Sequence, residues 1–341
     1  MGKTVTLGEI MLRLSPDGFD RLFQNEKLVA TFGGAEANVA VSLANYGEQV
    51  SFVTKVPENV IGQAAINKLR SFGVDTSSIA RGGERLGIYY MEKGAAQRGS
   101  VCIYDRAGSA FQKSDMSDYN WDEIFDNADW FHFTGITPAL GDNVSKICKE
   151  ACIEAKKRNI RVSCDINYRS KLWSRDKAKS VMTELCKYID VCIANEEDAK
   201  NVFGIEPENN DVYSGKINKD GYQFVANELK KRFDFEYVAI TLRTSHSASV
   251  NDWMCMLYDG DRCCYSKNYH IDHIVDRVGS GDSFGAGLIY SLHNGYDAHS
   301  AVEFAAAASV LKHSINGDFN LVTVAEVERL TKGDGSGRVQ R

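Results

Sequence analysis

No run of about 18 apolar residues occurs anywhere in the chain, so the sequence offers no membrane-spanning helix. The opening residues, Met1 to Leu7, also lack the long apolar region of a signal peptide, and a cytoplasmic protein is expected. Basic charge is in short supply. The net charge is −6, which argues against a non-specific nucleic-acid binder, although a local group of arginines can still receive an anionic small molecule. Nine cysteines are present, with no Cys-x-x-Cys pair, and Cys263 and Cys264 are adjacent, too close for ordinary zinc-ligand spacing. Most lie in apolar surroundings and read as buried, reduced thiols. The seven histidines show no metal spacing, and His132 and His313 are expected to be structural. Internal repeats are not apparent. The two commonest phosphate-binding patterns are missing as well. Gly2-Lys3-Thr4 has no glycine loop or strand ahead of it, and the glycine spacing near the C-terminus is Gly-x-Gly-x-x-x-Gly, which is not the dinucleotide fingerprint.

That last segment is the most informative one in the chain. It reads Val278-Gly279-Ser280-Gly281-Asp282-Ser283-Phe284-Gly285-Ala286-Gly287 and runs into the apolar stretch Leu288–Leu292. Small residues let backbone approach a ligand, and the N–H groups at a helix start form an anion site. A carboxylate beside such a site suits phosphoryl transfer to a hydroxyl, which needs donors for the phosphate and an acceptor for the hydroxyl proton. The same pattern also describes a plain strand-to-helix turn. Gly285 and Gly287 inside the helix each cost about 1 kcal/mol relative to alanine, so close approach of another group is expected there.

Short β-branched runs alternate with amphipathic helical stretches. Strands are predicted at Thr4–Leu7, Val50–Thr54, Trp130–Phe133, Arg161–Asp165, Val191–Ala194 and Tyr237–Thr241. Helices are predicted at Ala35–Tyr46, Val60–Phe72, Asp142–Arg158, Ser174–Tyr188, Glu196–Phe203, Gly221–Phe233, Asp282–His293 and Ala298–His313. This alternation implies βαβ units, a mainly parallel sheet covered on both faces, and a ligand crevice at the carboxyl ends of the strands. Segments 10–33 and 86–109 break the rhythm with short strand-like pieces and no helix. They read either as surface hairpins or as a small second sheet lying over the crevice. Tyr89, Tyr104 and Arg106, residue types that bind polar ligands, favour the second. Residues 1–331 form a single domain on this reading, and 332–341 a flexible tail.

Near the N-terminus stands Gly33-Gly34-Ala35-Glu36-Ala37-Asn38, a diglycine opening a small-residue helix. Together with Asp276–Phe284, it resembles the ribokinase-like (PfkB) carbohydrate kinases, with agreement from Gly8 to about Asn320. Within that family the chain looks most like the 2-keto-3-deoxygluconate kinases. The segments that carry this are Gly8–Met11, Tyr104–Ala110, Asp165–Trp173 and Thr241–Ser249. The resemblance implies a three-layer α/β/α fold with a mainly parallel central sheet and a small β-sheet lid. It further implies ATP and Mg²⁺ as cofactors, a sugar acid as substrate, and a homo-oligomer, a dimer or larger, joined through the lid. A monovalent-cation site near the positions of Asp276 and Val278 is common in relatives, and a monovalent cation is a candidate third cofactor here.

Roles follow by position. Asp282 resembles the family's catalytic base, and a helix N-terminus is expected to keep it ionised. Gly279, Ser280 and Gly281 would supply amides to the transferred phosphoryl group. Gly34, Asn38, Tyr89, Tyr104, Arg106 and Asp318 match sugar contacts, although Asp318 also reads as a turn residue. Arg106 and Arg169 could bind a substrate carboxylate, which simple hexoses lack; the plain alternative for each is a surface ion pair. Asn195–Asp198 matches an Asn-x-x-Glu element tied to Mg²⁺ and phosphate, with Asp198 one methylene shorter than usual and so suited to a water-mediated contact. Asn195 also fits a helix cap. Thr241, Arg243 and Ser245 stand where relatives bind nucleotide, although the usual Gly-x-x-Gly is replaced. The expected activity is phosphorylation of 2-keto-3-deoxygluconate to its 6-phosphate. A ketose kinase such as a fructokinase, or a non-catalytic sugar sensor on the same fold, are the alternatives.

Overall fold

The structure, a computed structural model, describes residues 2–195, 197–207, 218–335 and 337. The strands in chain order are β1 (Lys3–Leu7), β2 (Met11–Ser15), β3 (Val29–Gly33), β4 (Val50–Val56), β5 (Ile79–Arg81), β6 (Gly87–Glu92), β7 (Val101–Asp105), β8 (Ala128–Thr134), β9 (Arg161–Asp165), β10 (Val191–Asn195), β11 (Tyr237–Ser245), β12 (Asn251–Tyr258), β13 (Cys263–Tyr265) and β14 (Tyr269–Ile271). The helices are α1 (Ala35–Asn45), α2 (Val60–Arg70), α3 (Trp121–Ile124), α4 (Ile136–Ala139), α5 (Asp142–Lys157), α6 (Arg175–Leu185), α7 (Lys219–Phe233), α8 (Ser280–His293), α9 (Ala298–Lys312) and α10 (Val324–Thr331).

The large sheet runs β13-β12-β11-β10-β9-β8-β1-β4-β5, with β14 also paired to β12. From β11 to β5 every pairing is parallel, whereas β12, β13 and β14 add antiparallel pairs at one side. Both faces are buried, so alternate residues of one strand enter different cores. On β10, Cys192 and Ala194 pack with α5, α6 and α7, while Val191 and Ile193 pack with α1, α8 and α9. Helix starts follow sequence chemistry. Asn59, Ser174 and Asp297 accept amide hydrogen bonds as caps of α2, α6 and α9.

Two differences from the sequence reading matter. The strand at Asn251–Tyr258 was not expected, because no helix separates it from β11; the two form an antiparallel pair. The stretch expected as a helix over Glu196–Phe203 is a single wide turn at Ala199–Phe203, with Glu196 outside the described residues. In the tail, Ser336 and residues 338–341 likewise lie outside the described residues. The predicted thiol and histidine roles hold: the nine cysteines are free, and His132 and His313 are buried and held neutral, burial pulling them down to about 3 and about 4. Gly287 is where close approach occurs, but to a helix. A Cβ there would lie 2.8 Å from the Cα of Ala305 on α9.

A second, four-stranded sheet, β3-β2-β6-β7, is built wholly from the two segments that broke the helical rhythm. Its Met11, Tyr89, Met91, Cys102 and Tyr104 form one wall of a cavity of about 510 Å³. The carboxyl ends of β9, β10 and β11 and the start of α8 form the other. Among the described residues, no helix is long and apolar enough to cross a membrane.

Candidate active site

Gly279 precedes α8 with φ +83°, a left-handed backbone, and an added Cβ would lie 2.1 Å from the carbonyl oxygen of Asp318. Only glycine satisfies both conditions. The first bond along α8 runs from the Ser283 N–H to the Gly279 carbonyl at 2.9 Å, so the amides of Gly281 and Asp282 precede any helical acceptor. A Cβ on Gly281 would meet nothing within 4 Å, so this turn is open to the cavity. Ser280 contributes differently from its expected role: its N–H donates to Arg277 at 3.3 Å and its carbonyl accepts from Ser309 at 2.7 Å, which fixes the turn.

Asp282 is half-buried on the cavity wall, and Asn38 Nδ2 donates to its Oδ2 at 2.6 Å. Asn38 in turn accepts from the Gly34 amide at 3.3 Å, so the diglycine motif and the Gly-x-Gly-Asp motif meet through this amide. The helix end does not keep Asp282 strongly acidic, contrary to expectation. Burial outweighs the Asn38 hydrogen bond, with Glu36 and Asp318 adding repulsion, and the carboxyl is pushed up to about 7. Asp165, at the end of β9, is also pushed well up, by burial and then by Asp198 and Asp282.

The two arginines part company. Arg106 donates through both Nε, at 2.8 Å, and Nη2 to Glu9, so its charge is already matched inside the protein. Arg169 is exposed at the cavity mouth, its Nη1 donating to the carbonyl of Tyr168 at 3.2 Å, and among the described residues no carboxylate pairs with it. Tyr89 and Asp318 both line the cavity but are bonded to each other, the phenol donating at 2.5 Å. Tyr104 lies 5.9 Å from the Tyr89 ring, centroid to centroid, with the Arg106 guanidinium 5.6 Å from its own.

On the opposite side, Asn195, Thr241 and Arg243 line the cavity together with Arg277. Asn195 does cap a turn, accepting from Glu197 at 2.8 Å and Asp198 at 3.1 Å, and it faces the cavity as well. Asp198 and Ser245 are not part of the wall. Asp198 is buried, its two oxygens accepting the amides of Tyr168 at 2.9 Å and Asn195 at 3.0 Å, which leaves it bracing both cavity loops. Ser245 ends β11 beyond the cavity. Among the described residues no group of three or more His, Cys, Asp or Glu stands together as a ready metal cage.

Sequence reading overlooked Arg13. It sits on β2, fully buried, and joins Asp318 at 2.8 Å and Asp276 at 2.6 Å, tying the small sheet to the loops around α8. The only signal was a charged residue inside the apolar strand Met11–Ser15.

A twisted parallel sheet with a small sheet over its ligand edge, and a carboxylate at a glycine-rich helix start, defines the ribokinase-like class of phosphotransferase folds. The family model for pfkB family carbohydrate kinases matches residues 1–318, and the chain belongs to that family. A 2-dehydro-3-deoxygluconokinase structure from Thermotoga maritima superposes with a TM-score of 0.94 at 48% identity, covering 97% of this chain and 98% of that one. The 2-dehydro-3-deoxygalactonokinase of Haloferax volcanii is 31% identical over 333 residues, 98% of each chain. The 2-dehydro-3-deoxygluconokinase of Thermoproteus tenax is 28% identical over 338 residues, 96% of this chain and 94% of its own.

Proposed function

We propose that this protein is an ATP-dependent kinase of a 2-keto-3-deoxy sugar acid, with 2-keto-3-deoxygluconate as the favoured substrate and its 6-phosphate as product. The observation that carries the reading is that Asp282 and Arg169 line one cavity: a carboxyl pushed up to about 7, and a guanidinium that no carboxylate among the described residues pairs with. A carboxyl at that value accepts a hydroxyl proton near neutral pH. Asn38 fixes its orientation, so the sugar hydroxyl donates to the free carboxylate oxygen while the other stays bonded to the amide. The Gly281 and Asp282 amides meet the charge that develops on the transferred phosphoryl group. Arg169 takes the substrate carboxylate by a charge-assisted pair, and Asp318, oriented by Arg13 and Tyr89, takes a sugar hydroxyl.

The nucleotide lies along Asn195, Thr241 and Arg243, with Arg277 beside them. Its Mg²⁺ would fit the acidic wall, where the half-buried Asp165 carboxyl feels the Asp198 and Asp282 carboxylates more strongly than the Arg169 guanidinium. Asp165 and Glu197 would stand behind the ion, through water, with Asp198 bracing their loops. The bound metal would screen the phosphate charges during transfer. Exposed Val101 and Ile103, on the face of β7 opposite the cavity-lining Cys102 and Tyr104, support a homo-oligomer joined there. Nine unpaired thiols support a reducing, cytoplasmic setting.

A panel of keto-deoxy acids, fructose, ribose and nucleosides in a coupled ADP-release assay tests the reading. Acidic keto sugars should exceed fructose by at least about tenfold in kcat/KM, or about 1.4 kcal/mol. Equal turnover of fructose would favour a ketose kinase. No turnover of any sugar, with sugar binding retained, would favour a sensor. The gluconate- and galactonate-derived epimers belong in the same panel, because relatives carry either name.

A further inference from the structure

Lys312 ends α9 with its side chain fully buried. A buried ammonium must find acceptors or lose its proton. Its acceptors here are main-chain carbonyls, Ile315 at 3.0 Å and Asp276 at 3.4 Å. The Asp276 carboxylate itself is engaged elsewhere, by Arg13 at 2.6 Å and by the amides of Val278 and Gly317 at 3.1 Å each. The lysine therefore grips the main chain of two loops. One leads from Asp276 through Gly279 into the amides of α8, and the other leads from Ile315 to Asp318.

These loops touch at the turn of the anion site. A Cβ on Gly279 would lie 2.1 Å from the Asp318 carbonyl and 3.4 Å from Lys312 Cε. The charged groups facing the ammonium are the Asp276, Asp318 and Asp282 carboxylates and the Arg13 guanidinium. His313, next in the chain, is held neutral by burial, and Arg277 lies near it. The three carboxylates outnumber the one guanidinium, so the neighbouring charges favour a cation while burial opposes it. An ammonium group and a potassium ion are similar in size, and both bind carbonyl oxygens.

Building on the kinase reading above, we propose that Lys312 is a positioning residue for phosphoryl transfer. It is a cation built into the chain that spaces the Asp276 and Ile315 carbonyls and holds the anion loop against the Asp318 loop. No free monovalent cation is then needed at this place. Burial pulls Lys312 down to about 8, so it carries its charge at neutral pH and loses it on the alkaline side.

The test uses the full chain, ATP, Mg²⁺ and the acidic keto sugar in tetramethylammonium buffer, with and without potassium or ammonium chloride. Wild-type turnover should change by less than about twofold with either salt. Lys312→Met removes the charge but keeps the bulk. It should lose at least about tenfold in kcat, measured well below its melting temperature, which should itself fall because the buried oxygens facing the ammonium lose their cation. Lys312→Ala leaves room for an ion, and ammonium or potassium should restore at least about fivefold of its lost kcat. Tetramethylammonium at equal ionic strength should not. The wild-type rate should fall above about pH 8, and potassium-rescued Lys312→Ala should lack that limb. A Lys312→Met enzyme within about twofold of wild type overturns the proposal, as does Lys312→Ala that stays folded and ignores both salts. The panel separates the two readings: a wild type inactive on every sugar defeats the kinase assignment, whereas an active wild type with an indifferent Lys312→Met defeats only the role given to the lysine.

Discussion

Asp282→Asn separates the chemical role of this residue from its structural one. Asparagine keeps the volume, and its carbonyl can still accept from Asn38 Nδ2, now at 2.6 Å from the carboxylate. It cannot take the hydroxyl proton. General acid–base residues contribute about 10²–10⁴ in rate, so kcat should fall by that factor, or about 3–5 kcal/mol of transition-state stabilisation. Stability should move the other way. Because burial raises Asp282 from 3.8 to about 7, the folded state binds more protons than the unfolded state between those values. Stability from this group is therefore lost as pH rises through that window and stays lost above it. Asparagine resembles the protonated form, so the variant should gain on wild type as the pH is raised. Holding a carboxyl proton one pH unit beyond its ordinary range is worth about 1.4 kcal/mol. Discounted for the partial exposure of Asp282, the gain between pH 5 and pH 8 is roughly 2 kcal/mol. Steady-state turnover is measured beside urea unfolding at the two pH values, with nucleotide affinity by calorimetry expected to change little. A variant that keeps a tenth of its turnover would refute the base, and one that is no more stable than wild type at pH 8 would refute the burial argument. Wild-type kcat should correspondingly decline as pH falls below about 7.

Arg169→Lys should raise KM for the acidic sugar more than it lowers kcat, since an ammonium cannot make the bidentate contact, and should affect a neutral sugar less; an unchanged KM would remove Arg169 from the site. Arg106→Lys, by contrast, should act mainly by weakening its contact with Glu9, with a similar effect on acidic and neutral sugars. Arg13→Met leaves the Asp276 and Asp318 carboxylates buried without their partner, and urea unfolding should report a loss of about 3–5 kcal/mol.

Local chemistry was legible in the amino-acid order alone. The β-branched runs and their alternation with helices located the parallel strands of the large sheet except the short edge strand β5, because those found were buried on both faces whereas β5 is not. The two interruptions marked the second sheet, because nothing helical separated their strands. Gly279–Asp282 announced a helix start with open amides because backbone geometry there depends on neighbours in the chain, as it does for the Asn195 cap. Whatever depended on distant partners was left to the packing of the whole chain. That Asn38 would bond Asp282, or that Glu9 would take Arg106 while no carboxylate among the described residues pairs with Arg169, is set by the meeting of segments far apart in sequence. Arg13 illustrates the limit most clearly. Alternation in Met11–Ser15 suggests that Leu12 and Leu14 point inward, yet Met11, Arg13 and Ser15 are the more buried set. Two carboxylates from loops near the other end of the chain reverse that preference, because a buried guanidinium is stable only where such partners converge. The acidity of Asp282 was misjudged for the same reason: a helix end acts within one turn, whereas burial and neighbouring carboxylates are assembled by the whole fold.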